Sequence, residues 1–279
     1  MKGIFSQTRQ LLKESWNVLK GNKKLLLIPI VPIVLGIVFV GIGLYFFVSA
    51  LRTGDLESWL VILVFSLSVL LLIFILGIFF NIVLFSCVDD LFKGREISFK
   101  RGFLIAVKNL RKVIGWSIIS TAAHTTFSEA SKGVATKVTV EAGRAAWQTM
   151  TTFVVPVMIF EQKTVTEAVS RSIYLFTKTW GPTVIGRFSI GLVFFVKVAV
   201  SFGVGFLLSW VYLEFLPFNS LTPVVIIWSI LIAYIIIVGI ITSVLGGIFN
   251  VALYHYASTG QIPASFSERT IKNAHSSES

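Results

Sequence analysis

Four long apolar runs punctuate the chain, at 25–51, 58–88, 183–213 and 222–256. A helix needs about 20 apolar residues to cross a hydrocarbon core about 30 Å thick, so each run predicts a membrane-spanning helix. The first begins only at Leu25, is too long for the core of a signal peptide and lacks a small-residue cleavage site after it. It is expected to remain as an anchor. Between 113 and 160 the pattern weakens, because 113–119 and 153–160 are apolar while the stretch between them is mostly Ala, Gly, Thr and Ser. Two short helices turning near 131–136 are expected there, either crossing the membrane or forming a re-entrant hairpin. In both cases the chain enters and leaves on one side. The expected fold class is an all-α integral membrane protein, a multi-pass helical bundle of six membrane segments or of four plus a re-entrant hairpin.

A second periodicity precedes alternate runs. It reads Phe5, Leu12, Trp16 and Leu19 with Arg9, Lys13 and Lys20; then Phe99, Phe103, Val107, Leu110 and Ile114 with Lys100, Lys108, Arg111 and Lys112. The third copy is Val165, Ala168, Val169, Ile173, Phe176 and Trp180 with Arg171 and Lys178. Apolar recurrence at i, i+3, i+4 and i+7 predicts three amphipathic helices lying along the cytoplasmic interface. The exits also match, since Phe80-Asn81 leads to Gly94 and Phe249-Asn250 leads to Gly260, intervals that differ by three residues. These features predict one membrane domain, 1–263, made of three units at 1–93, 94–160 and 161–263. A polar cytoplasmic tail, 264–279, is expected to be disordered.

Composition adds the sign of the flanking charge. The 279 residues are 55% hydrophobic and 13% charged, with a mean hydropathy of +0.87, values that exclude an ordinary soluble domain. A net charge of +11 would point to nucleic acid on a soluble protein, but here the cations flank the apolar runs. Six Lys and Arg fall in 1–24, seven in 89–112, three in 161–181 and two after 256. The opposite loops hold Arg52, then Lys132, Lys137 and Arg144, and none over 214–221. The positive-inside rule therefore places both termini in the cytoplasm. Trp59, Trp116, Trp180, Trp210 and Trp228 fall near span ends, as an aromatic belt would have them. Headgroup contact is expected from Lys13, Lys20, Lys23, Lys24, Lys100, Arg101, Lys108, Arg111 and Lys112. Membrane lipids are the expected partners, with self-association open and nucleic acid excluded.

The chain resembles a prokaryotic multi-pass membrane family catalogued only as a domain of unknown function. The resemblance is carried by Ser15-Trp16, the run from Lys23 to Pro29, Phe80-Asn81, Ala145-Ala146-Trp147 and Thr152 to Pro156. It continues through Thr179-Trp180-Gly181, Gly191 to Phe195 and Ala252 to Pro263, and so covers nearly the whole chain. It implies a bacterial or archaeal cell-membrane protein of unassigned function, with no catalytic residues to carry over. The stretch 120–139 is more polar here than the family pattern.

Candidate chemistry is sparse. One cysteine, Cys87, and three histidines exclude a disulfide framework and a cysteine-rich metal site, and no cofactor is expected. Lys197 lies midway in its apolar run, where a lysine costs about 2.5–3.5 kcal/mol on insertion scales. Lys197, Ser201, Gly205 and Ser209 recur every fourth residue on one helical face. That face reads either as a structural lysine, snorkelling or paired, or as part of an ion path. Two polar stripes follow the same logic: Thr121, His124 or Thr125, Ser128 and Lys132, then Lys137, Glu141, Arg144, Gln148 and Thr152, with Thr151 beside them; they read either as an extracytoplasmic amphipathic hairpin or oligomer contact, or as an intramembrane lining. Crossing segments would bring Thr121, His124, Gln148, Thr151, Thr152, Lys197 and Ser201 to one depth as an intramembrane polar cluster. Gly239, Ser243 and Gly247 form a small-residue ladder for helix packing. Asp89 and Asp90 beside Lys93 and Arg95 read as an interfacial charge cluster rather than an acid and base. No nucleotide-binding or hydrolase motif occurs, so the expected function is a non-enzymatic membrane scaffold or lipid-organising protein. The alternative is a homo-oligomeric channel or transporter lined by the 121–152 stripes and Lys197, with a lipid enzyme a distant third.

Overall fold

The computed structural model describes residues 2–54, 56–130, 137–180, 190–215, 221–268 and 271. Regular structure among them is helical: α1 (Lys2–Gly21), a 3₁₀ turn (Lys23–Leu26), α2 (Leu27–Thr53), α3 (Leu56–Phe92), α4 (Phe99–Lys108) and α5 (Leu110–Ala130). The chain continues as α6 (Lys137–Met150), α7 (Val154–Phe160), α8 (Val165–Trp180), α9 (Ile190–Phe215) and α10 (Thr222–Thr259). Among the described residues four segments are long and apolar enough to cross a membrane: Lys23–Arg52, Trp59–Phe92, Phe195–Glu214 and Thr222–Thr259.

These four pair into two hairpins, α2 with α3 and α9 with α10. A helix apolar on every face needs either protein or lipid all round it. The long helices meet that requirement in two different ways along their length. Towards the hairpin tips their side chains are bare, as at Leu44, Tyr45, Leu70, Phe206 and Ile230. At the other end residues 82–90 of α3 are buried without interruption, as is most of 244–254 in α10. There α4, α5, α7 and α10 pack around α3, while α1 and α8 pack on α10. The core thus sits at one end of the molecule, below a collar of exposed apolar side chains.

Glycines set the closest approaches. A Cβ at Gly102 would lie 3.0 Å from the Val83 carbonyl oxygen, so α4 rests directly on the backbone of α3. A Cβ at Gly247 would collide with Leu84, and one at Gly205 with Leu231, which marks the α3–α10 and α9–α10 crossings.

The structure departs from the sequence expectations in several places. The second amphipathic helix stops at Lys108, where the buried Asn109 turns its amide back onto the Ile105 carbonyl (2.8 Å) before α5 begins. The apolar stretch 153–160 is not the end of a span. After a turn at 151–153 it forms the short α7, whose Val154, Val157, Met158 and Ile159 are all core residues. With 14 residues, α6 reaches only about 21 Å, short of a hydrocarbon core about 30 Å thick. The tail is folded at its start: Phe266 packs on Phe92 and Phe249, Ile271 is fully buried, and Ser267 donates to Glu14 (2.9 Å). Phe266 thereby seats 264–268 against α3 and α10, and Ser267 ties it to α1. Trp116 belongs to the core rather than to a belt, because α5 packs that face against α3 and α8. The turn at 131–136 with Lys132, and the start of the third run at 183–189, lie outside the described residues.

Candidate functional site

The most polar place inside the packed end is built on Asp89 and Asp90, 5% and 2% exposed. Successive helical residues point about 100° apart, so these carboxylates leave α3 in different directions. Asp89 meets α10, where His255 Nε2 lies 2.9 Å from its Oδ1, and it accepts from Lys93 Nζ at 2.9 Å. Asp90 meets α4 through Arg101, whose Nε donates at 3.1 Å and whose Nη2 closes the pair. Arg95 joins the two, donating to Asp89 at 3.2 Å and to Asp90 at 3.0 Å. Buried carboxylates survive only when paired, and here Lys93 and Arg95 of the 93–98 connection, Arg101 of α4 and His255 of α10 surround the two acids of α3. This is a charge cluster, as the sequence reading has it, yet a buried one that ties three helices together.

A second tie lies alongside. Glu161, just after α7, accepts from Arg171 Nε on both oxygens (3.1 and 3.2 Å) and from the Tyr254 hydroxyl at 3.3 Å. Phe160 stacks on Tyr254 with ring centres 5.5 Å apart and receives the Lys93 ammonium on its face at 5.7 Å, so the two ionic groups share one aromatic wall.

The turn between α6 and α7 is held by side chains from elsewhere. The fully buried Ser172 of α8 accepts from the Phe153 amide (3.1 Å) and donates to the Met150 carbonyl (2.6 Å). Asn250 of α10 donates to the Thr152 carbonyl at 3.3 Å, while its side-chain Oδ1 has no partner among the described residues. Outside the long helices, Thr164 and Glu167 open α8 as a capping box. The Thr164 amide and hydroxyl donate to the Glu167 carboxylate (2.9 and 2.8 Å), which holds that carboxyl below its ordinary range.

The intramembrane polar cluster expected from the sequence is not gathered among the described side chains. Lys197 is exposed on α9, and Ser201 beside it is buried against α10 with its hydroxyl turned to the Lys197 carbonyl (2.8 Å). The every-fourth-residue face of α9 is a packing face: Gly205 meets Leu231 and Trp228, and Ser209 accepts from Trp228 Nε1 at 3.1 Å. Its polarity is that of small residues admitting a neighbour. The other members lie on α5, on α6 and in the turn at 151–153, and α5 and α6 pack on each other and on α8. Thr121 and Gln148 are exposed, Thr152 is half-buried, and buried Thr151 donates to the Trp147 carbonyl (2.7 Å). The side chains of His124, Ser128, Lys137 and Glu141 lie outside the described residues. Of the small-residue ladder, Gly247 packs on Leu84, while Gly239 and Ser243 border a groove next to α2 and α3.

Seven of the nine expected headgroup cations are exposed: Lys13, Lys20, Lys23, Lys24, Lys100, Lys108 and Arg111. The other two are turned inward, Arg101 to Asp90 and Lys112 to the Met158 carbonyl (3.3 Å). Buried acceptors lie within their reach, and a charge-assisted bond there is stronger than a solvated one. Sequence reasoning missed His255, Glu161, Arg171, Ser172 and the capping box. Only the last had a local signal, Thr164-x-x-Glu167. The others are joined by contacts across 10 to 166 residues of chain.

A family model described as a family of unknown function (DUF6159) matches residues 56–264. No curated protein and no solved structure matches the chain.

Proposed function

The chain belongs to this family of unknown function, and from that starting point we propose that it is a non-enzymatic scaffold of a prokaryotic cell membrane that organises lipid. In this reading α2, α3, α9 and α10 lie in the bilayer, both termini and the packed end face the cytoplasm, and α1, α4 and α8 run along the interface. One observation carries it: an exposed apolar collar ends at a packed end whose outward cations are bare while its carboxylates are tied internally. Exposed lysines at that level attract anionic headgroups at about 1 kcal/mol each. The Asp89–Asp90 cluster is a clamp in this reading, since every carboxylate oxygen in it is already held by Lys93, Arg95, Arg101 or His255.

The test is lipid order around the reconstituted protein. A spin-labelled anionic phospholipid is expected to be more strongly immobilised than a zwitterionic one of the same chain length, and equal immobilisation would contradict the proposal.

The oligomeric channel or transporter keeps one specific support. Thr121, Gln148 and Lys197 are exposed on helices that this reading places at membrane depth, where polar groups favour a protein neighbour over lipid. Mass measurement in mild detergent with bilayer recording separates the two: a monomer without conductance supports the scaffold, and a conducting oligomer supports the channel.

A further inference from the structure

We propose that one anionic glycerophospholipid has a fixed seat where α1, the 3₁₀ turn and the start of α2 meet the end of α3. The inference rests on the lipid-facing reading above and adds a defined site to it. Two openings, with Leu91 and Leu84 of α3 on their respective walls, make the seat. The first is a basic pocket of about 610 Å³ lined by Lys20, Lys23, Lys24, Arg95 and Glu96, with Leu91 as its apolar wall. A volume of several hundred cubic ångströms suits a small polar group, and the lining suits a phosphate. Arg95 is already bound to Asp89 and Asp90, so the free positive charge comes from Lys20, Lys23 and Lys24. None of the described residues forms an ion pair with these three lysines, and among the described lining residues Glu96 is the one carboxylate. Three ammonium groups around one opening repel one another, and an anion between them relieves that repulsion.

The second opening is an apolar groove of about 170 Å³ between α2, α3 and α10, lined by Pro29, Pro32, Phe80, Leu84 and Gly239, with Asn81 and Ser243 at its polar edge. The groove exists because the small residues Gly239 and Ser243 leave room that larger ones would fill. Leu84 in the groove and Leu91 in the pocket are seven residues apart on α3, about two turns or 10 Å along one face. Lys24 and Pro29 connect the same two places on the neighbouring chain segment. The apolar groove therefore lies about a glycerol unit and a few methylenes from the cations, on the side of the exposed apolar collar. A phosphate in the pocket with one acyl chain in the groove satisfies both openings at once. A free phosphate would leave the groove empty, and an apolar molecule would leave the lysines unmatched.

The experiment is native mass spectrometry of the detergent-purified full chain with added phosphatidylglycerol. The wild type is expected to retain one lipid per chain. The triple variant Lys20→Gln, Lys23→Gln, Lys24→Gln is expected to weaken retention at least about tenfold, since each surface cation contributes a factor of about five. Ser243→Leu, which narrows the groove and is favourable for insertion, is expected to weaken it as well, while Glu96→Gln strengthens it. The control triple Lys100→Gln, Lys108→Gln, Arg111→Gln, elsewhere on the packed end, is expected to leave the single lipid in place. Equal loss in both triples, or no effect in either, overturns the seat while leaving the lipid-organising reading to the spin-label measurement. If that measurement also shows no anionic preference, both fall together. Full protection of the wild type by inorganic phosphate alone, with Ser243→Leu inert, would assign the pocket to free phosphate and overturn the lipid.

Discussion

Asp90 shows how much a single side chain holds in this molecule. Its carboxylate is 2% exposed and neutralises Arg95 and Arg101, which come from different parts of the packed end. Asp90→Asn keeps the shape and removes the charge, so two guanidiniums lose their anion while α4 loses its tether to α3. Breaking one member of a buried ionic group costs about 3–5 kcal/mol, but both arginines are nearly half exposed and water recovers part of that. A loss of about 2 kcal/mol is expected in detergent unfolding, and a change within experimental error would show that the cluster is not a clamp. Ser172→Ala tests the other tie, because it strands the buried Phe153 amide, at about 1–3 kcal/mol. The sequence showed that Asp89 and Asp90 sit among cations, since Lys93 and Arg95 are within six residues. It did not show His255, because nothing local links residue 255 to residue 89 until α3 and α10 pack.

At the scale of the elements, what hydropathy alone decides was legible and what neighbours decide was not. The four long apolar runs became four long helices, since about 20 apolar residues in a row leave a chain few alternatives to an internally hydrogen-bonded helix. The stretch 153–160 is equally apolar, but at that length composition does not distinguish a span from a core segment, and the Ser172 and Asn250 bonds at 150–153 turn it inward. Likewise the Lys197 face looked polar when its small residues were fitted to α10, a distinction that needs the partner helix. The α3–α4 crossing gives a direct test. Gly102→Val puts a branched side chain where even a Cβ stands 3.0 Å from a backbone oxygen, which cannot yield as a flexible side chain would. Overpacking of this kind costs about 1–3 kcal/mol, read as a lower unfolding midpoint, whereas the same change at Gly36, where the space is open, is expected to be milder. The start of α8 carries a pH dependence. Because its hydrogen bonds from Thr164 hold the Glu167 carboxyl below its ordinary pKa, its contribution is present above the unfolded value. That contribution is lost as pH falls through the lowered one. A fall in the protection of the Thr164 amide, relative to its intrinsic exchange rate at each pH, is expected as pH drops below the ordinary glutamate range, with Glu167→Ala unprotected at every pH.

The described residues form two apolar hairpins rooted in one packed, ion-tied end, and the proposed placement in a bilayer rests on that asymmetry. The described helix ends at Gly54, Glu57, Phe215 and Leu221 lie at the opposite ends of the long helices from Lys100 and Thr259. A membrane-embedded chain must therefore present these two sets to different compartments. Cysteine labelling measures this directly, and the background is low because Cys87 is buried. Single cysteines replace the exposed Glu57, Glu214, Lys100 and Thr259 in intact cells, with an impermeant maleimide applied before and after permeabilisation. The expected result is labelling at 57 and 214 from outside, and at 100 and 259 only once the membrane is opened. Labelling of 57 and 100 from the same side would contradict the proposed topology.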